Sequence, residues 1–140
     1  MTKRHGKCLC GSVEIEIDVV DNKISACHCD MCRRWSGGPF TGHYFEGDVT
    51  WKGEKFIGIY KSSDWAERGF CKKCGSNLFW RMSETQTSFA TGLFDDADQN
   101  KFEMSVQYFI DEKPEFYTFS NDCKTMTSED IMKEFGPSDT

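Results

Sequence analysis

Cys27-His28-Cys29-Asp30-Met31-Cys32-Arg33-Arg34-Trp35-Ser36-Gly37-Gly38-Pro39-Phe40 sets three thiols within six residues. Zinc takes thiolate sulfur at about 2.3 Å in tetrahedral geometry, so sulfurs sharing one ion stand roughly 4 Å apart. A turn between Cys29 and Cys32 permits that spacing. Structural zinc sites fill all four positions with protein ligands, whereas catalytic sites supply three and keep one for water or substrate. The triplet therefore points either to an active site with an open position or to a structural site closed by a remote fourth ligand.

The flanking sequence frames these thiols. Residues 23–26 read as a short strand delivering the chain to Cys27, and Gly37-Gly38-Pro39 turns it away, which places the triplet on a loop between strands. Upstream, Cys8-Leu9-Cys10-Gly11 precedes Val13, Ile15, Ile17 and Val19 alternating with Glu14, Glu16 and Asp18, the pattern of a half-buried strand. In an extended segment Cys8 and Cys10 present both sulfurs to one face, half of a metal site. Downstream, Cys71-Lys72-Lys73-Cys74-Gly75 is a second half, with a glycine able to take the positive φ that lets backbone amides approach sulfur. The simplest partition joins Cys8, Cys10, Cys71 and Cys74 in a closed four-thiolate site. It leaves Cys27, Cys29 and Cys32 with a zinc of their own, two zinc ions per chain. The first site closes a loop of about half the chain, so metal binding there contributes folding energy. The remaining Cys123 lies in Ser120-Asn121-Asp122-Cys123-Lys124 and is expected as a free thiol, with ligation at the triplet the alternative. His28 sits between two ligating cysteines, and alternation turns its ring away from the metal. His5 and His43 have no partner spacing.

At 140 residues the chain suffices for one domain, taken as 1–140, and is short for two. No long apolar run occurs, and Met1-Thr2-Lys3-Arg4-His5-Gly6-Lys7 runs polar into Cys8, so neither a membrane span nor a signal peptide is expected. Eight cysteines at CxC and CxxC spacings then favour metal ligation in a reducing cytoplasm over disulfides. Seventeen basic against 23 acidic residues give a net charge of -6, which argues against a nucleic-acid partner. Local basic clusters at Arg33-Arg34 and at Arg68 with Lys72-Lys73 stand beside the cysteines and suit a small anionic ligand. Arg33 and Arg34, directly after Cys32, are the candidate substrate-binding residues, because arginine forks capture carboxylates.

The remaining chain reads as short strands over residues 41–45, 49–51 and 56–60, expected as an antiparallel meander, then 65–70, 77–82, 87–94, 104–110 and 116–119. Asp95-Asp96-Ala97-Asp98-Gln99-Asn100 reads as a solvated loop, its spacing unlike an EF-hand. One C-terminal helix is expected, capped by Thr127 with Asp130, striped by Ile131, Met132 and Phe135, and stopped at Gly136-Pro137. Trp35, Trp51, Trp65 and Trp80 suit a core or the lining of a pocket or groove.

Three motifs in order, Gly6-Lys7-Cys8-Leu9-Cys10-Gly11-Ser12-Val13, then Cys27-His28-Cys29-Asp30-Met31-Cys32-Arg33-Arg34-Trp35-Ser36-Gly37, then Arg68-Gly69-Phe70-Cys71-Lys72-Lys73-Cys74-Gly75-Ser76, carry a family likeness. Over nearly its whole length the chain resembles the glutathione-dependent formaldehyde-activating enzymes, the Gfa or centromere protein V domain family. The resemblance implies a mainly β, zinc-stabilised, Mss4-like β-tent of several small antiparallel sheets with one short C-terminal helix. It implies a structural zinc at Cys8, Cys10, Cys71 and Cys74 and the zinc of activity at Cys27, Cys29 and Cys32. The implied reaction adds the thiol of glutathione to formaldehyde, giving S-hydroxymethylglutathione, a carbon-sulfur lyase in the reverse sense. The implied partner is a small-molecule thiol such as glutathione. A zinc-stabilised protein-binding module without catalysis is the alternative. One departure stands out: where the family often carries a tryptophan after a Lys-Pro pair, Lys113-Pro114 is followed here by Glu115-Phe116-Tyr117.

Overall fold

Alternation of apolar and acidic residues forms strand β2 (Glu14–Val19), with Ile15, Ile17 and Val19 buried and the acids on the other face. It pairs antiparallel with β1 (Thr2–Lys7) on one side and β5 (Thr50–Lys52) on the other, a three-stranded sheet. The basic N-terminal run is thus itself a strand. Lys3 lies opposite Asp18 and reaches its carboxylate at 3.1 Å and that of Glu16 at 3.3 Å, so the acids of β2 receive the bases of β1. The computed structural model describes residues 2–136, and the expected stop at Pro137 lies outside them.

The second sheet collects β3 (Lys23–Cys27), β4 (Phe40–Glu46), β6 (Ile57–Tyr60), β7 (Glu67–Cys71), β8 (Asn77–Ser83), β9 (Gln86–Ala90), β10 (Glu103–Tyr108) and β11 (Lys124–Met126). Their order is β11-β10-β3-β4-β9-β8-β7-β6. The chain is mainly β, and this larger sheet is mixed: β10 runs parallel to both β3 and β11 while the other pairs are antiparallel. The meander expected over residues 41–60 does not form. β4 pairs with β3 and β9, β5 leaves for the smaller sheet, and the consecutive meander is β6-β7-β8-β9. Alternation marks a residue as strand without naming its partner.

Helical turns appear where loops were expected. Residues Asp30–Ser36 form α1, and Asp96–Gln99 form a single turn, α2. The C-terminal helix α3 (Ser128–Phe135) has the expected capping box: the Thr127 amide donates to Asp130 Oδ2 at 2.9 Å, and the Asp130 amide donates to Thr127 Oγ1 at 3.1 Å. Of its apolar stripe only Ile131 is buried, and Met132 and Phe135 face solvent. Residues 116–119 are not strand; Lys113 Nζ instead ties this stretch by donating to the Tyr117 carbonyl at 2.6 Å. No helix among the described residues is long and apolar enough to cross a membrane.

Two apolar clusters result. One draws on both sheets through Val13, Ile15, Ile17, Leu78, Phe79, Phe89 and Phe94, with Cys8 and Cys71 at its edge and Trp51 packed on it. The other gathers Phe40, Phe109, Met126 and Ile131 around Cys29 and Cys32, with Cys27, Trp35 and Trp80 packed against it. Phe109 joins this cluster from the left-handed region at φ 54, strain of the order of 1 kcal/mol or more that its burial offsets.

Candidate functional site

Each half of the four-sulfur group is a tight turn closed by a left-handed glycine. Gly11 donates its amide to the Cys8 carbonyl at 3.0 Å and Gly75 to the Cys71 carbonyl at 2.8 Å, both glycines at φ 78. Cys8 and Cys10 therefore lie on a knuckle, not on the extended segment expected. The turn brings their sulfurs to 3.7 Å, with Cys10 and Cys71 at 3.9 Å and all four of Cys8, Cys10, Cys71 and Cys74 within 4.8 Å of one another. A tetrahedron of sulfurs at about 2.3 Å from zinc has edges of about 3.8 Å, so this donor set fits that ion. The Val13 amide donates to Cys8 Sγ at 3.3 Å. The Ser76 hydroxyl, then its amide, draw the Cys74 thiol down to about 5, whereas burial pushes the Cys71 thiol up.

The three-sulfur group is local. Cys27 ends β3, Cys29 is the N-cap of α1, and Cys32 occupies its first turn, where its amide donates to Cys29 Sγ at 3.3 Å. The three sulfurs lie within 4.8 Å of one another, and no further cysteine, histidine or carboxylate joins them among the described residues. Cys29 and Cys32 are buried, and Cys27 is half-buried. Crowding by the Cys29 and Cys32 sulfurs, reinforced by burial, pushes the Cys27 thiol up. The Cys27 sulfur pulls Cys32 down, but Cys29 and burial outweigh it and push Cys32 up to about 11. Three sulfurs packed so closely resist ionisation together unless a cation joins them, and a coordinated metal removes that resistance by deprotonating each thiol.

β7 serves both groups. Three residues before Cys71 it carries Arg68, which is 2% exposed and directs both terminal guanidinium nitrogens to Cys32 Sγ, each at 3.6 Å. Its Cζ stands 5.0 Å from the centroid of the Trp35 ring. Lys72 and Lys73, which share a basic cluster with Arg68 in sequence, are exposed.

His28 is fully buried with both ring nitrogens engaged, so neither is offered to the sulfurs. Gln107 Oε1 lies 2.8 Å from Nε2, which assigns the hydrogen there; the Tyr117 hydroxyl then donates to Nδ1 at 2.8 Å. Tyr117 comes from the stretch that follows Lys113-Pro114. Cys123 stands apart from both sulfur groups and accepts from Gln107 Nε2 at 3.6 Å. Arg33 donates through Nε to the His28 carbonyl at 2.9 Å, while the exposed Arg34 spans both oxygens of Asp30 at 3.1 and 3.0 Å. His43, without a partner in the sequence pattern, is buried in a second polar network. Its Nδ1 donates to the Lys23 carbonyl at 2.8 Å, so its Nε2 accepts from Arg4 at 2.9 Å, and Arg4 Nε faces Asp98 at 3.4 Å. Trp51 packs, half-buried, on the first cluster, Trp65 meets Trp80 edge-on at 5.4 Å, and Trp35 and Trp80 pack against the cluster that holds the triplet.

Comparison with known proteins adds three findings. A family model described as glutathione-dependent formaldehyde-activating enzyme matches residues 3–112. A protein of Schizosaccharomyces pombe described as an uncharacterized lyase is 31% identical over 135 residues, covering 95% of this chain and 97% of that one. A crystal structure of a Rhodobacter sphaeroides protein superposes with a TM-score of 0.56 at 21% identity, over 70% of this chain and 96% of that one, a likeness of fold.

Proposed function

Because the chain belongs to the glutathione-dependent formaldehyde-activating enzyme family, we propose that it is a zinc-dependent carbon-sulfur lyase acting on the adduct of a small thiol and an aldehyde, such as S-hydroxymethylglutathione. The observation that carries this reading is the group of three sulfurs with no fourth cysteine, histidine or carboxylate among the described residues. Each sulfur group takes one zinc, two per chain. Cys8, Cys10, Cys71 and Cys74 hold the structural ion in an Mss4-like fold, and Cys27, Cys29 and Cys32 hold the ion of activity. When bound there, zinc makes a thiolate nucleophile available at neutral pH or polarises an aldehyde oxygen. In the forward direction the glutathione sulfur bonds to the formaldehyde carbon, the thiol loses its proton and the former carbonyl oxygen gains one. The reverse breaks that carbon-sulfur bond. Ligation by seven thiolates suits a reducing compartment, and we place the protein in the cytoplasm.

Arg33 and Arg34 receive the carboxylates of glutathione in this reading. Arg33 is anchored through Nε, which leaves the outer nitrogens of its fork for a ligand. Arg34 already holds a carboxylate, that of Asp30, in an exposed pair whose exchange for a ligand carboxylate costs little. Calorimetry on the zinc-loaded protein tests the assignment. Glutathione is expected to bind more tightly than a neutral thiol of similar size, and Arg34→Ala to weaken glutathione with zinc content unchanged. Equal affinity for the two thiols, or none for either, would remove glutathione as the substrate and favour the protein-binding module.

A further inference from the structure

We propose that Arg68 is a positioning residue of the three-sulfur centre: its buried guanidinium offsets one unit of the centre's negative charge and so lowers the cost of taking an anionic thiolate as the fourth ligand. The proposal rests on the reading that the centre holds a divalent metal with one position open.

Charge sets the requirement at this centre. Three thiolates and a divalent ion sum to minus one, and a thiolate in the fourth position takes the sum to minus two. In the four-sulfur group that charge is tolerable because Cys10 is exposed to water. The three-sulfur group has no such outlet at Cys29 or Cys32, which lie 3% and 4% exposed among Phe40, Phe109 and Met126. Burying a doubly negative centre in apolar surroundings is costly unless a cation is buried with it.

Arg68 is that cation. The other buried arginine, Arg4, has a carboxylate at Asp98, but among the described residues no carboxylate pairs with Arg68. Its two terminal nitrogens meet at one sulfur, and its Cζ lies over the Trp35 ring, so sulfur and indole both hold the charge in place. Arginine cannot shed its proton under these conditions, so the compensation is permanent. Two N–H donors on Cys32 also draw electron density from that sulfur, which weakens its hold on the metal and leaves the metal a better acceptor for an incoming thiolate. Neither effect rewards a neutral ligand to the same degree.

Cobalt substitution gives a readout independent of turnover, because a fourth sulfur on cobalt adds intensity to the sulfur-to-cobalt charge-transfer band. The cobalt-loaded protein is titrated with 2-mercaptoethanol, whose thiolate carries the only charge, and separately with imidazole, a neutral donor. In Arg68→Gln the thiol affinity is expected to fall by about tenfold or more while imidazole affinity stays within about twofold. Arg68→Lys, which restores a buried charge without the fork, should recover most of the thiol affinity, and if the glutamine variant fails to fold Arg68→Met supplies the uncharged comparison. A parallel loss of both ligands, no loss of either, or a lysine variant as weak for thiol as the glutamine one would overturn the assignment. Failure of the unsubstituted protein to bind either probe would overturn the open-site reading itself, and the proposal with it.

Discussion

The two sulfur groups use the same element in opposite ways. The four-sulfur group ties residues 8 and 10 to residues 71 and 74, each half a glycine-closed turn, and sits at the edge of the cluster that both sheets share. The three-sulfur group spans only residues 27–32, gains nothing by closing a long loop, and lies in a second cluster with a buried arginine on one of its sulfurs. A site that joins distant chain restricts the unfolded state and fixes the sheets, whereas a local site contributes little to either and is free to leave a position for chemistry. β7 connects them, with Cys71 in one group and Arg68 against the other.

The long-range sulfur group is where the protein has most to lose. A structural zinc contributes of the order of 10 kcal/mol to folding, against a total stability of about 5–15 kcal/mol for an ordinary domain. Loss of one ligand from the long-range group should therefore unfold or aggregate the protein, and Cys74→Ser tests it. Cys29→Ser should leave a folded protein with a modestly lower melting temperature. Elemental analysis should find about two zinc ions in the parent and about one in Cys29→Ser, and a chelator should strip the three-sulfur site first, because it can enter at an open position. Equal loss of melting temperature in the two variants would erase the distinction between a site for stability and a site for chemistry.

How far these features were legible follows the distance over which each is encoded. The sulfur groups could be read from Cys8 to Cys74 because ligand spacing within each motif is local and the chemistry demands four donors or three. The strands were legible for the same reason: Ile15 and Ile17 alternate with Glu14 and Glu16 inside one element. Partners were not. The alternation of residues 41–60 is the same whether β5 pairs with β2 or with β4, and the answer depends on where the intervening turns send the chain. Arg68 looked like one of three bases beside a cysteine pair, and only burial separates it from Lys72 and Lys73; its sulfur partner lies 36 residues away. The partners of His28 are farther still, 79 residues on at Gln107 and 89 at Tyr117. The triplet reads as a loop because its helix is capped by Cys29, a role sulfur fills less often than the oxygen of serine or aspartate.

A second comparison, between the two buried arginines, predicts a smaller effect that depends on pH. Arg68 faces sulfur, while Arg4 faces the ring of His43 together with Asp98 and Asn22. Burial, aided by the Arg4 charge, holds the His43 imidazole below its ordinary value. In the unfolded chain histidine titrates near about 6.5. Between that value and the lower folded one the unfolded state binds more protons, so the contribution of His43 is complete above the unfolded value and is lost as pH falls beneath it. His43→Gln can keep both hydrogen bonds, its amide donating to Lys23 and its oxygen accepting from Arg4, without titrating. Urea unfolding at neutral and mildly acidic pH should show a steeper loss for the parent than for the variant. Thiolate protonation acts on both proteins alike, so equal slopes would show that His43 carries no linked proton.

The three-sulfur centre can also be reached from outside, through α3. α3 touches that centre's cluster through Ile131, which packs with Cys29, Cys32 and Met126. The helix has eight residues, too few to persist without its neighbours, and its start is fixed by reciprocal bonds between Thr127 and Asp130. Removing the hydroxyl with Thr127→Ala leaves the Asp130 amide without its cap, at a cost of about 1 kcal/mol. If the two sulfur groups are independent in the way their places in the fold indicate, that loss should fall unevenly. The rate at which a chelator removes the first zinc should rise, because local opening of α3 uncovers the second cluster, while release of the second zinc should be unchanged, because the first cluster contains no residue of α3. Stopped-flow release into a chromogenic chelator resolves the two phases. Acceleration of both by the same factor would mean that the centres open together, and the four-sulfur group would then belong to the same cooperative unit as the three-sulfur one.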